Sequence, residues 1–280
     1  MKIIDEINYI NGGFIILNHI CSLYAFNYIE TYNDLLHIFI WYQLCGIGVT
    51  AGLHRLWSHK SYKAKTPAKV LLMILASASN QGSIYFWCRD HRIHHKFSDT
   101  DLDPHNINRG FFFSHMGWLF LKKDESIIQE GNKLDLIDLK EDKIVMLDKI
   151  LWPYDDLFLS YILPGIYTYI YYDSFMKGLF LLGFLRWTIQ SHATWCVNSV
   201  AHMFGDRPFR KNINPVENKW VSLLTVGEGW HNWHHSYPYD YACSDEGIFL
   251  RWNPTKLFID ILGFFGQTYG HKRKYINKSK

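Results

Sequence analysis

Two apolar stretches, GGFIILNHICSLYAFNYI at 12–29 and LLHIFIWYQLCGIGVTAGL at 35–53, stand five residues apart. Each approaches the ~20 apolar residues that a helix needs to cross a hydrocarbon core. The pattern recurs with LFLSYILPGIYTYIYY at 157–172 and GLFLLGFLRWTIQSHATWCV at 178–197. The third run is short and carries Pro164, so it qualifies only with help from its aromatic flanks. Four buried helices of a soluble bundle would also give four apolar runs. The tight pairing favours two membrane hairpins. A fifth run, VLLMILASAS at 70–79, is too short to span and predicts an interfacial or buried helix.

The linker Glu30–Asp34 holds acids and no Lys or Arg, whereas 54–156 is rich in them, from Arg55 and Lys60 to Lys149. The positive-inside rule then puts 54–156 and 198–280 in the cytosol, together with both termini. The expected fold is an all-α membrane protein: four transmembrane helices in two hairpins, with a cytosolic helical cap, as one domain over 1–280. A mean hydropathy of -0.12 suits a few spans joined to a large polar part. The net charge of +3 is too small to imply nucleic-acid binding. Cys21, Cys45, Cys88, Cys196 and Cys243 are scattered without a CxxC, and read as small buried hydrophobes in a reducing compartment. Met1–Asn8 carries no excess of base, with Lys2 against Asp5 and Glu6, and no cleavable leader is expected.

Three histidine clusters mark the chemistry: HRLWSH (His54, His59), HRIHH (His91, His94, His95) and HNWHH (His231, His234, His235). HxxHH places histidines at i, i+3 and i+4, on one helical face. His54 and His59 are five apart, slightly off one such face. A lone histidine is usually a satisfied core or surface residue. Eight in three clusters on one side of a membrane would repel if protonated and converge on metal if neutral. NSVAH adds Asn198 and His202, one turn apart just beyond the fourth run, with Asn198 able to hold a metal-bound water. Nine imidazoles exceed one octahedral ion and suit two. A structural zinc site would normally include cysteine, so a nitrogen-rich dinuclear site points to O2 chemistry on two irons. Zinc in a purified sample would be read as substitution during expression.

The words GVTAGLHRLWSHKSYKA, RDHRIHHKFSDTDLDPHN, GFFFSHMGW, ATWCVNSVAHMFGDRPF and VGEGWHNWHHSYPYDY resemble those of the membrane fatty-acid desaturases, and closely the acyl-CoA Δ9 (stearoyl-CoA) desaturases. The resemblance runs in one order over about 10–265. It implies a mushroom-like four-span fold and a diiron centre held by His54, His59, His91, His94, His95, His202, His231, His234 and His235, with Asn198 acting through water. It implies an oxidoreductase that uses O2 to remove two hydrogens from adjacent carbons of a saturated acyl-CoA, leaving a cis double bond. A closed tunnel then acts as the ruler that selects one methylene.

By the same resemblance Arg89, Asp90, Lys122 and Lys123 match positions that bind the CoA headgroup. Asn11 matches a polar headgroup contact and Trp195 a tryptophan near the acyl carbonyl. Read alone, Lys122–Lys123 is a solvated or lipid-facing pair, and Trp195 and Tyr42 are ordinary core or belt aromatics. Gly82 departs from the family, which carries a headgroup-binding Asn there. Tyr42 and Gly46 match the closed end of the tunnel. Tyr42 would block longer chains and Gly46 would leave room, giving a C16–C18 preference. His105 and His115 are not family ligands and read as supporting residues, as do Asp103 and Glu228, whose carboxylates could orient ligand imidazoles. His19, His37, His192 and His271 are assigned no role.

No flavin or dinucleotide fingerprint and no cytochrome b5 domain appear. The implied electron donor is a separate membrane cytochrome b5 with its NADH-dependent reductase, attracted by the basic cytosolic surface. The implied location is the endoplasmic reticulum membrane, although KYINKSK shows no dilysine pattern. A fatty-acyl or sphingolipid hydroxylase on the same metal scaffold is the sister alternative. A non-enzymatic membrane metal-binding or transport protein would put polar ligands inside the spans, which the clusters avoid.

Overall fold

The computed structural model describes residues 7–247 and 250–275. The expectations for both termini, including most of KYINKSK, lie outside the described residues. The described chain is helical nearly throughout, with one small antiparallel pair, Lys63–Ala64 on Thr268–Tyr269.

Helix α1 spans Tyr9–Ala25 and ends in a 3-10 turn, Phe26–Tyr28. Helix α2, Tyr32–Ile47, opens on a capping box formed by Thr31 and Asp34. It does not stop where the apolar run stops. The backbone widens into a π-helical segment, Gly48–Ser58, and carries on to the first histidine cluster. Helix α3, Thr66–Ser79, lies directly against that segment, because a Cβ at Gly48 would collide with the backbone of Leu75 and Ala76. Leu53, Leu56 and Trp57 share a core there with Leu72 and Ala76. The fifth apolar run is thus a largely buried helix. Helix α4 is Ile84–Phe97.

The third apolar run is a helix in three registers: Tyr154–Leu157, a π turn at Phe158–Ile162, and α5 at Leu163–Tyr172. Pro164, the second residue of α5, stands just after the π turn, the kind of break that a proline within a helix imposes. The fourth run repeats the theme, with Phe175–Gly178, a π segment at Leu179–Leu185, and α6 at Arg186–Asn198. Helices α7, His231–Ser236, and α8, Pro254–Phe264, lie in the C-terminal part.

The two hairpin turns meet. Lys177 Nζ lies 2.8 Å from Asp34 Oδ1 and 3.0 Å from Glu30 Oε2. His54 and Asn198 therefore sit toward the opposite end of the bundle. Among the described residues, only Tyr32–Ser58 is both long and apolar enough to cross a membrane by that measure alone. Helix α1 has 17 residues, and the helices that carry the remaining two runs include Asp155, Asp156, Lys177 and Arg186. An apolar surface nonetheless faces outward, with Ile20 60% and Ile170 71% exposed and Leu23 and Phe39 also uncovered.

Candidate metal centre

The π segment resolves the odd spacing of the first cluster. An i→i+5 bonding pattern brings residues five apart onto one face. The His59 N–H donates to the His54 carbonyl at 3.1 Å, and the two ring centroids are 4.9 Å apart. Helix α4 presents His91, His94 and His95; α7 presents His231, His234 and His235. His202 stands on a short helix, Val200–Met203, just past α6.

All nine predicted histidines come together, in two groups. His54, His59, His91, His95 and His234 form one; His94, His202, His231 and His235 form the other. Within the first, His54 and His234 bring their Nε2 atoms to 3.0 Å, His59 and His91 to 2.8 Å, and His95 and His234 to 2.9 Å. Within the second, His202 and His235 each bring Nε2 to 3.1 Å from His231 Nε2. His94 and His235 link the same way at 3.3 Å.

Carboxylates stand at three of the outer nitrogens. Glu228 Oε2 lies 2.9 Å from His54 Nδ1, Asp103 Oδ2 2.9 Å from His94 Nδ1, and Asp99 Oδ1 3.0 Å from His202 Nδ1. An Nδ1–H donated to a carboxylate leaves a bare lone pair on Nε2. Burial, reinforced by neighbouring imidazoles, holds His59, His91, His95, His231, His234 and His235 well below the usual imidazole range. Neutral rings with inward lone pairs repel one another unless a cation stands among them, so this donor set fits two metal ions.

Burial alone would raise the Glu228 carboxyl. The Arg55 guanidinium, with His54 beside the carboxylate, outweighs it and holds the group down to about 2. Arg55 is fully buried and grips Glu228 Oε1 through Nε at 3.0 Å and Nη2 at 2.7 Å. Its other donors reach the Tyr241 carbonyl and Asn253 Oδ1. The clustered motifs did not mark Arg55 or Asp99. Cys243 Sγ, 3.6 Å from His234 Nδ1, was likewise read only as a small buried hydrophobe.

One cavity touches both histidine groups, with His54, His91, His94 and His231 in its wall beside Asn198. Tyr42 and Gly46 line the same cavity two to three turns along the helix from His54. Residues 224–228 run along it and meet the Tyr32–Ser58 helix at three levels. The Tyr42 hydroxyl donates to the Leu224 carbonyl, Val226 packs on Gly46, and Glu228 reaches His54.

Arg89, Asp90 and Lys123 cluster. Arg89 Nε donates to Asp90 Oδ1 at 2.9 Å, and Lys123 pairs with Asp90 Oδ2. The Ile7–Leu121 bridge and the Asn8 N–H to Phe120 carbonyl bond of 2.8 Å tie the segment entering α1, which bears Asn11, to the stretch just before the exposed Lys122. Gly82 has a φ of +93° and open space where a side chain would stand. Trp195 is buried among His19, His115 and His192. Those three histidines form a chain: His19 Nε2 to His192 Nε2 at 3.0 Å, His192 Nδ1 to His115 Nε2 at 2.9 Å, and His115 Nδ1 to Ser199 Oγ at 2.9 Å. No motif in the sequence marks that link. His105 packs on His94 at 4.3 Å between ring centroids, a supporting position.

A family model described as fatty acid desaturase matches residues 34–242, a range that contains all nine histidines. An acyl-CoA desaturase of Ovis aries is 46% identical over 264 residues, covering 92% of this chain and 72% of its own length. The stearoyl-CoA desaturase 5 of Bos taurus is 44% identical over 260 residues, covering 92% and 77%. The stearoyl-CoA desaturase of Homo sapiens is 43% identical over 276 residues, covering 96% and 76%. On the matched range, these identities and the converged histidines, the chain belongs to the fatty acid desaturase family.

Proposed function

We propose that this protein is an O2-dependent acyl-CoA desaturase that introduces a cis double bond, at Δ9, into saturated C16–C18 acyl-CoA. The observation that carries the reading is the single cavity whose wall contains Tyr42 and Gly46 as well as His54, His91, His94 and His231. A chain laid in it would present one methylene to the histidine groups. Two irons held by the nine histidines, with Asn198 acting through water, would supply the oxidising power for C–H cleavage from O2.

The protein's own residues bind, orient and exclude water. Arg89 and Lys123, held by Asp90, with Lys122 and Asn11 beside them, would receive the CoA phosphates. Trp195 would steady the acyl carbonyl end. Glu228, Asp103 and Asp99 would aim the ligand imidazoles of His54, His94 and His202. Electrons would come from cytochrome b5 and its NADH-dependent reductase. The protein would be a single domain crossing the endoplasmic reticulum membrane four times, with the metal site cytosolic. The outward apolar faces of α1, α2 and α5 and the meeting of the two hairpin turns support that topology.

The test is expression in desaturase-deficient cells that contain cytochrome b5, with mass-spectrometric mapping of double bonds and His94→Ala as control. The expected result is new Δ9 C16 and C18 products that vanish in the variant. Absence of new unsaturation in the wild type would overturn the reading, and a gain of one oxygen would identify a hydroxylase.

A further inference from the structure

Gly46 was expected to leave room at the end of the tunnel. That room is filled from the opposite wall. Val226 is 2% exposed and has a φ of +56°. A β-branched residue in the left-handed region is an outlier that its surroundings must hold in place. Thr255 holds it, donating its N–H at 3.3 Å and its Oγ1 at 2.8 Å to the Val226 carbonyl. Thr255 Oγ1 in turn lies 2.7 Å from Thr50 Oγ1, on the π segment and in the cavity wall. The resulting conformation turns the isopropyl group onto α2. A Cβ at Gly46 would lie 2.7 Å from Val226 Cγ2, well inside the ~3.5–4 Å at which carbon atoms attract.

We propose that Val226 is a chain-length determinant, and that Gly46 and Val226 form one complementary pair whose combined volume sets how far an acyl chain passes beyond the metal site. The inference rests on the acyl-CoA desaturase reading. Neither residue is polar or titratable, so the pair acts by shape alone.

Val226→Gly removes the side chain, and glycine takes up the left-handed backbone without strain, so the turn is retained. Wild type, Val226→Gly, Gly46→Ala and the double variant would be expressed in desaturase-deficient cells fed C16, C18 and C20 saturated acids. Purified proteins would be titrated with the matching acyl-CoAs. Val226→Gly should raise the ratio of C20 to C18 monounsaturated product roughly tenfold, as one or two methylenes in an apolar pocket do. Gly46→Ala should shorten the longest product, and the double variant should return toward the wild-type distribution. Acyl-CoA affinities should move in the same order. An unchanged ratio in Val226→Gly, or no rescue in the double variant, would overturn the proposal. A wild type that makes no unsaturated product would instead sink the desaturase reading, while the binding series would still test the pair.

Discussion

Asp99 and His202 are separated by 103 residues of chain, yet His202 Nδ1 donates to Asp99 Oδ1 at 3.0 Å. Asp99 does this from a left-handed backbone, φ +61°, which asparagine tolerates as readily. Asp99→Asn therefore keeps the turn and removes the charge that polarises the imidazole. Metal affinity should fall by about 10–100-fold, read by chelator competition with elemental analysis, while circular dichroism stays unchanged. Equal metal retention in both proteins would separate Asp99 from the centre.

The two histidine groups predict the metal count. Wild type should carry two ions per chain. His59→Ala, in the group of five, and His235→Ala, in the group of four, should each lose about one ion first. Inductively coupled plasma mass spectrometry would decide, and a single ion in the wild type would refute the dinuclear assignment.

Arg55 is a buried cation whose planar fork serves Glu228, Asn253 and a carbonyl at once. Lysine keeps the charge but cannot reproduce that fork. Arg55→Lys should cost on the order of 3 kcal/mol, the scale of a broken buried ion pair. It should lower the midpoint of thermal unfolding in detergent and loosen metal binding. An unaltered midpoint would mean that the grip on Glu228 is dispensable.

Glu217 is 8% exposed, and burial pushes its carboxyl up to about 7, only partly offset by the Trp233 N–H and Arg251. The folded protein thus holds this proton more tightly than the unfolded chain. Its contribution is full below the ordinary carboxylate value near 4.5 and is lost as pH rises through about 7. The loss amounts to about 3 kcal/mol at most. Between pH 5 and 8 the wild-type melting temperature should fall more steeply than that of Glu217→Gln. Parallel curves would show that Glu217 does not titrate there.

Arg89→Ala and Lys123→Ala should raise KM for acyl-CoA by roughly tenfold with little change in kcat. The effect should shrink in high salt, as expected for partly exposed charges meeting phosphates. A matched fall in kcat would place these residues in the chemical step instead.

The histidine set was legible because i, i+3, i+4 spacing is a local property, and α4 and α7 are local structures. The apolar runs were legible as helices for the same reason. His54 and His59 were harder, since their spacing makes sense only on a π-helical backbone, for which residue order carries no marker. Arg55 read as one of many cytosolic cations, although the fold buries it completely. Asp99 and Val226 owe their positions to left-handed turns and to partners far away in the chain. The link from His19 through His192 to His115 joins three segments that no single stretch of sequence connects.

Residues 224–228 touch one helix at Tyr42, Gly46 and His54, so the backbone is indexed against itself at three levels. Inserting or deleting a residue there would put the carboxylate of Glu228 and the isopropyl group of Val226 out of step with their partners together. Chain-length preference in such an architecture can drift by exchange of side chains, while the loop length stays locked to the metal chemistry.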